Sequence, residues 1–113
     1  MSEADVINGI HKVLGKLGEE KNKKRFKKWN RKIGFTFEEF GKTWTTTLTA
    51  GVPDDLVEGP IDKSIKYDIL VKTNSVTWLG VLNKEIDPIK AYSKGELKIK
   101  GSVTDLLKLR RVL

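Results

Sequence analysis

Apolar positions in the first seventeen residues recur with helical spacing: Val6, Ile10, Val13, Leu14 and Leu17 stand at i, i+4, i+7, i+8 and i+11 and share one face. Ser2 and Asp5 precede them at the spacing of a capping box, so the pattern predicts a helix that ends near Gly18. Glu19 and Glu20 open a second helical segment, with acids at the positive end of its dipole. The period then changes from helical to two. Ile33, Phe35 and Phe37 alternate with Gly34, Thr36 and Glu38, which predicts a half-buried strand from about Ile33 to Phe40. Gly41-Lys42 turns the chain into a second strand, Thr43 to Thr49, on which Trp44, Thr46 and Leu48 share a face.

Gly51 to Asp55 is turn chemistry, a short third strand follows near Leu56 to Glu58, and Gly59-Pro60 breaks it. Ile65, Tyr67, Ile69 and Val71 alternate as a fourth strand, with Leu70 on the opposite face. A helix over Ser75 to Asn83 comes next, capped by Asn74 or Thr73. Pro88 starts a short helix as its first residue, Gly95 ends it, and Glu96 to Lys100 is a fifth strand. The final helix sets Val103, Leu106, Leu107, Leu109, Val112 and Leu113 around well over half its circumference, more than one buried face requires. A helix this apolar either closes a core or lies over a cavity.

The stretch from Asp87 to Gly101 carries more than periodicity. Pro88, Ala91, Tyr92, Gly95, Leu97, Ile99 and Gly101 fall in register with the pattern Pro-x-x-Ala-aromatic-x-x-Gly-x-Leu-x-Ile-x-Gly, and the stretch resembles the signature of the sterol carrier protein 2 (SCP-2) lipid-binding family. Trp44, Leu48 and Gly51, then Val57 and Gly59, then Asp68 to Val71, then Trp78, Leu79 and Leu82 extend the resemblance over residues 33–113. It implies an α+β fold in which a five-stranded sheet is covered on one face by helices that enclose an apolar cavity. It also implies a non-catalytic carrier of a fatty acyl, isoprenoid or sterol-like molecule. The alternative it leaves open is an accessory subunit that presents a lipid-tailed substrate to, or docks on, a partner enzyme. Strand alternation and helix facing then assign the cavity lining to Phe35, Phe37, Trp44, Leu48, Ile69, Val71, Trp78, Leu82, Tyr92, Leu106, Leu109 and Leu113. The polar tips of Trp78 and Tyr92 are suited to orienting a head group.

At 113 residues the chain is one domain on size, with residues 1–32 expected as a helical, basic segment packed on residues 33–113. The formal charge of +7 is concentrated in that segment. Residues 1–33 hold ten Lys or Arg against Glu3, Asp5, Glu19 and Glu20, while the remainder holds twelve against eleven acids. Eight of the twelve positions from Lys21 to Lys32 are basic, interleaved with Phe26 and Trp29. A solvated helix face accounts for this run. It also suits contact with an anionic membrane through Lys23, Lys24, Lys27 and Lys28, since each such lysine contributes about 1 kcal/mol near a charged bilayer. Nucleic acid is a poor fit, because no stacking platform exists beyond Trp29.

Catalytic chemistry finds little to work with. His11 is the only histidine and there is no cysteine, so neither a thiolate metal site nor a nucleophile relay through two such groups can be assembled. Gly41-Lys42-Thr43 matches the end of a phosphate-binding loop, but the required earlier glycine is Thr36. Glu38-Glu39 and Asp54-Asp55 are neighbours that point apart on a strand or into solvent in a turn. No metal or cofactor is expected, and the absence of a long apolar run makes the cytoplasm the expected location.

Overall fold

Ser2 and Asp5 cap the first helix reciprocally: Ser2 Oγ accepts the Asp5 backbone N–H at 3.2 Å, and Asp5 Oδ2 accepts that of Ser2 at 3.1 Å. In the computed structural model, which describes residues 1–113, this box opens α1 (Glu3–Lys16). The helix buries Val6, Ile10, Val13 and Leu14, the face that the spacing selects. A second helix, α2 (Glu20–Phe26), buries Asn22 and Phe26 and leaves its lysines in water.

Six strands form one mixed sheet: β1 (Arg31–Phe37), β2 (Lys42–Thr49), β3 (Val52–Pro53), β4 (Val57–Pro60), β5 (Ile69–Thr73) and β6 (Lys98–Lys100). The path runs β3-β2-β1-β5-β6, with β4 also paired to β2. Central β1 pairs antiparallel with β2, placing Phe35 opposite Trp44, and parallel with β5, placing Phe35 opposite Val71. Three further helices complete the chain: α3 (Ser75–Leu82) and α4 (Pro88–Ser93) between β5 and β6, and α5 (Val103–Arg110) after β6. The α+β class with helices on one sheet face is as the sequence implies.

Alternation builds the core from that face. Ile33, Phe35, Phe37, Trp44, Leu48, Ile69 and Val71 are buried together with Val6, Ile10 and Val13 of α1, Trp78 of α3 and Leu109 of α5 in a single apolar cluster. The aromatic rings meet edge to face, Phe35 and Trp78 at 5.7 Å and Phe37 and Trp44 at 5.8 Å between centroids. Such pairs add about 0.5–1.5 kcal/mol beyond area burial. Helix α1 approaches α3 closely because residue 9 is glycine: a Cβ there would lie 2.8 Å from both Leu82 Cδ1 and Trp78 Nε1. On the opposite face, Thr36 and Thr43 share a hydrogen bond at 2.7 Å, and Tyr67 lies across Gly34, where a Cβ would come within 2.8 Å of its ring.

Several boundaries differ from the sequence reading. Strand β1 stops at Phe37, and Glu38–Phe40 form a turn of 3-10 helix closed by Gly41 at φ 64°. Glu38 there pairs with Lys72 at 2.5 Å, and Glu39 accepts hydrogen bonds from the backbone N–H and the hydroxyl of Ser75. Those side-chain bonds fasten the turn to β5 and α3, and no periodicity argument registers them. Strand β5 begins at Ile69 rather than Ile65, because Asp62 accepts both the backbone N–H and the hydroxyl of Ser64 and holds that stretch in a turn. Tyr67 thereby reaches the face opposite Ile69. A sixth strand comes from Val52 and Pro53, inside what reads as turn, and Gly59-Pro60 continue β4 rather than break it. Asn74 is the α3 cap, its Oδ1 accepting Thr77 N–H at 2.8 Å.

Candidate functional site

Helix α5 and the turn that follows it present two largely apolar stripes, and they have different fates. Asp105, Leu109 and Val112, spaced i, i+4 and i+7, turn inward and are buried. Val103, Leu106, Leu107 and Arg110, spaced i, i+3, i+4 and i+7, face outward toward α4. The first stripe meets the core and the second has no protein to cover it. This resolves why the helix is apolar around so much of its circumference.

The inward stripe is anchored by charge as well as by packing. Asp105 Oδ1 accepts the indole N–H of Trp29 at 2.8 Å, and Oδ2 accepts Nε of Arg31 at 2.7 Å. Ser102 caps the helix by accepting Asp105 N–H at 3.1 Å. Burial alone pushes the Asp105 carboxyl upward, but the hydrogen bonds from Arg31 and Trp29 outweigh it and hold the group below the ordinary carboxylate range. The position of α5 is therefore tied to Trp29, just before β1, and to Arg31, its first residue.

Between α4 and α5 lies an open groove of about 300 Å³, lined by Pro88, Ile89, Tyr92, Leu97, Ile99, Val103, Leu106, Leu107, Arg110 and Leu113. Leu97, just before β6, and Ile99, within it, form its floor. Four of its side chains are half or more in water: Ile89 is 50% exposed, Tyr92 51%, Leu107 56% and Val103 75%. A contiguous apolar patch of this kind marks an interaction or ligand site more often than chance exposure does. The volume is at the lower end of small-molecule sites. Apart from Tyr92 and Arg110, nothing polar lines it.

Adjoining it is a polar basin of about 630 Å³ bounded by the α3–α4 connection, α4 and the chain end. The two share Pro88, Arg110 and Leu113. A third depression, of about 690 Å³, lies between the end of α1, α2 and the β2–β3 turn, with His11, Phe26 and Val52 on its walls. His11 itself is exposed, and no three His, Cys, Asp or Glu side chains gather as metal ligands.

The residues expected to line a cavity divide into two groups. Tyr92, Leu106 and Leu113 line the groove, Leu113 being also a buried member of the core cluster. Phe35, Phe37, Trp44, Leu48, Ile69, Val71, Trp78, Leu82 and Leu109 are buried in the core cluster beneath it. The Trp78 indole N–H is buried with no hydrogen-bond partner, whereas Tyr92 is at the groove surface. Ile89, Leu97, Ile99, Val103 and Leu107 complete the groove and were missed. Their signal was present as the i, i+3 pair Ile89 and Tyr92 and as the second stripe of α5. Lys23, Lys24, Lys27 and Lys28 are all exposed, with Lys23 paired to Glu20 at 3.1 Å.

Comparison with known proteins agrees with this architecture. The profile of the SCP-2 sterol transfer family matches residues 10–113. No curated protein matches by sequence. Among solved structures, sterol carrier protein 2 like 2 from Aedes aegypti superposes with TM-score 0.68 at 16% identity, covering 97% of this chain and 97% of that one. The UbiJ-SCP2 ubiquinone synthesis protein gives 0.64 at 12% identity, over 99% of this chain and 92% of that one. The stereoselective inverting sec-alkylsulfatase Pisa1 from Pseudomonas sp. gives 0.64 at 21% identity over 80% of this chain, which spans only 14% of the sulfatase. At these identities the structural likeness speaks for the fold.

Proposed function

The chain belongs to the SCP-2 sterol transfer family, and on that premise we propose that it is a non-catalytic lipid-binding protein that holds one apolar chain in the groove between α4 and α5. The observation that carries the reading is the groove itself, with Ile89, Tyr92, Val103 and Leu107 standing in water around a floor of Leu97 and Ile99. Covering these side chains with an apolar molecule removes their surface from water, which favours binding there. Tyr92, Leu106 and Leu113 belong to the contact surface. The nine buried members of the expected lining, Phe35 and Trp78 among them, support it as core. Burying about twelve methylenes at about 0.8 kcal/mol each gives about 10 kcal/mol gross. Association costs of about 4 kcal/mol leave a dissociation constant of tens of micromolar.

A second reading is an accessory subunit whose groove keeps the tail of a lipid substrate for a partner enzyme. The likeness to a ubiquinone synthesis protein and to one segment of an alkylsulfatase supports it. Both readings place an apolar tail in the same groove, so one experiment tests both: titration with a fluorescent alkyl probe, on the native chain and on Leu107→Lys. Saturable binding with about one probe per chain is expected, weakened at least about tenfold by the lysine. Leu107 is exposed, so the variant keeps its fold and the loss reads binding alone. No saturable site below about 200 µM, where the estimate predicts one, overturns the proposal.

A further inference from the structure

We propose that the polar basin beside the groove is a head-group site, and that the ligand is a single-chain amphiphile with an anionic head, a carboxylate or a phosphate. The inference rests on the groove as the place of the tail, and adds which end of the molecule goes where. Groove and basin share Pro88, Arg110 and Leu113 on their rims, so the two open spaces are neighbours and an extended molecule lying in the groove brings its end to the basin. Arg110 borders both spaces.

The charge of the basin is the second observation. Lys84, Lys90, Lys94 and Arg110 line it, against Glu85, Asp87 and Glu96. Lys84 Nζ donates to the Leu113 backbone oxygen at 3.3 Å, whereas Lys90, Lys94 and Arg110 are in no ion pair. Of the carboxylates, Asp87 is already engaged, accepting Ile89 N–H at 2.9 Å as the cap of α4. Positive charge also accumulates just outside the rim: Lys16 is held below its ordinary lysine value first by burial and then by the charge of Lys84. An anion placed among these groups relieves mutual repulsion and gains charge-assisted hydrogen bonds. Arg110 is the group best placed to bind it, because its guanidinium donates two parallel hydrogen bonds to a carboxylate or phosphate at the point where the apolar lining ends. A neutral sterol or alcohol has no such complement here.

The test uses four probes with the same twelve-carbon chain, competed against one fluorescent alkyl probe: dodecanoate, dodecyl phosphate, dodecanol and dodecyltrimethylammonium. Both anions should displace the probe at about tenfold lower concentration than dodecanol, the effect of one charge-assisted hydrogen bond. The cation should be the weakest. Carboxylate and phosphate are ranked directly by the first two arms. In Arg110→Gln and in Lys90→Gln/Lys94→Gln, the anion-to-alcohol ratio should fall toward one. Lys63→Gln/Lys66→Gln removes equal charge from an exposed loop and should leave the ratio as it is, which separates a local site from the field of a +7 protein. Equal binding of anion and alcohol to the native chain overturns the head-group site while leaving the groove standing. So does a preference that survives the basin substitutions. If no probe binds, the head-group site and the lipid-binding reading fall together.

Discussion

The Trp29 indole donates to the Asp105 carboxylate across 2.8 Å, joining positions 76 residues apart and tying the last helix to the segment that leads into β1. Arg31 donates to the other oxygen at 2.7 Å, so one buried carboxylate serves two donors on one side of the sheet. The wall of the groove formed by α5 has its position fixed through this carboxylate.

Asp105→Asn should therefore destabilise the fold by about 1–3 kcal/mol, since it removes the charge that Arg31 requires while leaving an acceptor for Trp29. The sign of the pH dependence follows from the depressed pKa of Asp105 in the folded state. Its contribution is present above the unfolded value of about 3.9 and is lost as pH falls through the lower folded value. Urea midpoints of the native chain and the variant should differ by a constant amount between about pH 5 and 7, begin to approach each other as pH falls below about 4, and meet only below the lowered folded value. A difference that persists at low pH would show that packing rather than charge anchors α5.

Deleting residues 103–113 should unfold the domain rather than uncover a cavity. Leu109, Val112 and Leu113 are buried, and each contributes about 1.5–3 kcal/mol against a total stability of about 5–15 kcal/mol. Trp29 would lose its acceptor as well. Circular dichroism on the truncated chain checks this. A truncation that keeps its native spectrum would make α5 a detachable cover, contrary to its burial.

Lys23, Lys24, Lys27 and Lys28 stand in water on and just after α2, with Phe26 and Trp29 turned inward between them. If they dock the protein on a membrane, vesicle binding should need anionic lipid and fade as salt shortens the Debye length from about 10 Å at 0.1 M to about 3 Å at 1 M. Changing all four to Gln should abolish sedimentation with such vesicles. Binding that survives the change assigns these lysines to solvation alone.

Most of the fold was legible because its elements obey strict periods. Val6 to Leu17 and Ile33 to Phe37 announce a helix and a strand, and the helix buries the face its period selects; the strand buries Ile33, Phe35 and Phe37 as expected but Gly34 and Thr36 as well, so it is covered on both faces rather than half-buried. Boundaries failed where one side chain overrides the period. Asp62 holds Ser64 in a turn and so removes Ile65 from β5, and Glu39 bonds Ser75 and so bends the chain after Phe37. The site was harder to read, because residues that line a cavity and residues that fill a core alternate in the same way. Phe35 and Trp78 meet ring to ring at 5.7 Å, and nothing in their spacing distinguishes that from two rings facing a ligand. Groove residues such as Ile89 and Val103 announce themselves differently, as apolar positions left over after the inward face of each helix has been satisfied.

The mixed pairing of β1 sets an order of events for a chain emerging from the ribosome. Its antiparallel neighbour β2 follows within a few residues, so that edge closes locally. Its parallel neighbour β5 begins only at Ile69, and until then the other edge of β1 stands open with Ile33, Phe35 and Phe37 uncovered. Pairings at such sequence distance close late and slow folding, and an unpaired edge beside exposed aromatics is where two nascent chains would find each other. The parallel register that centres Phe35 in the core is also the step at which a newly made copy is most exposed to misassembly.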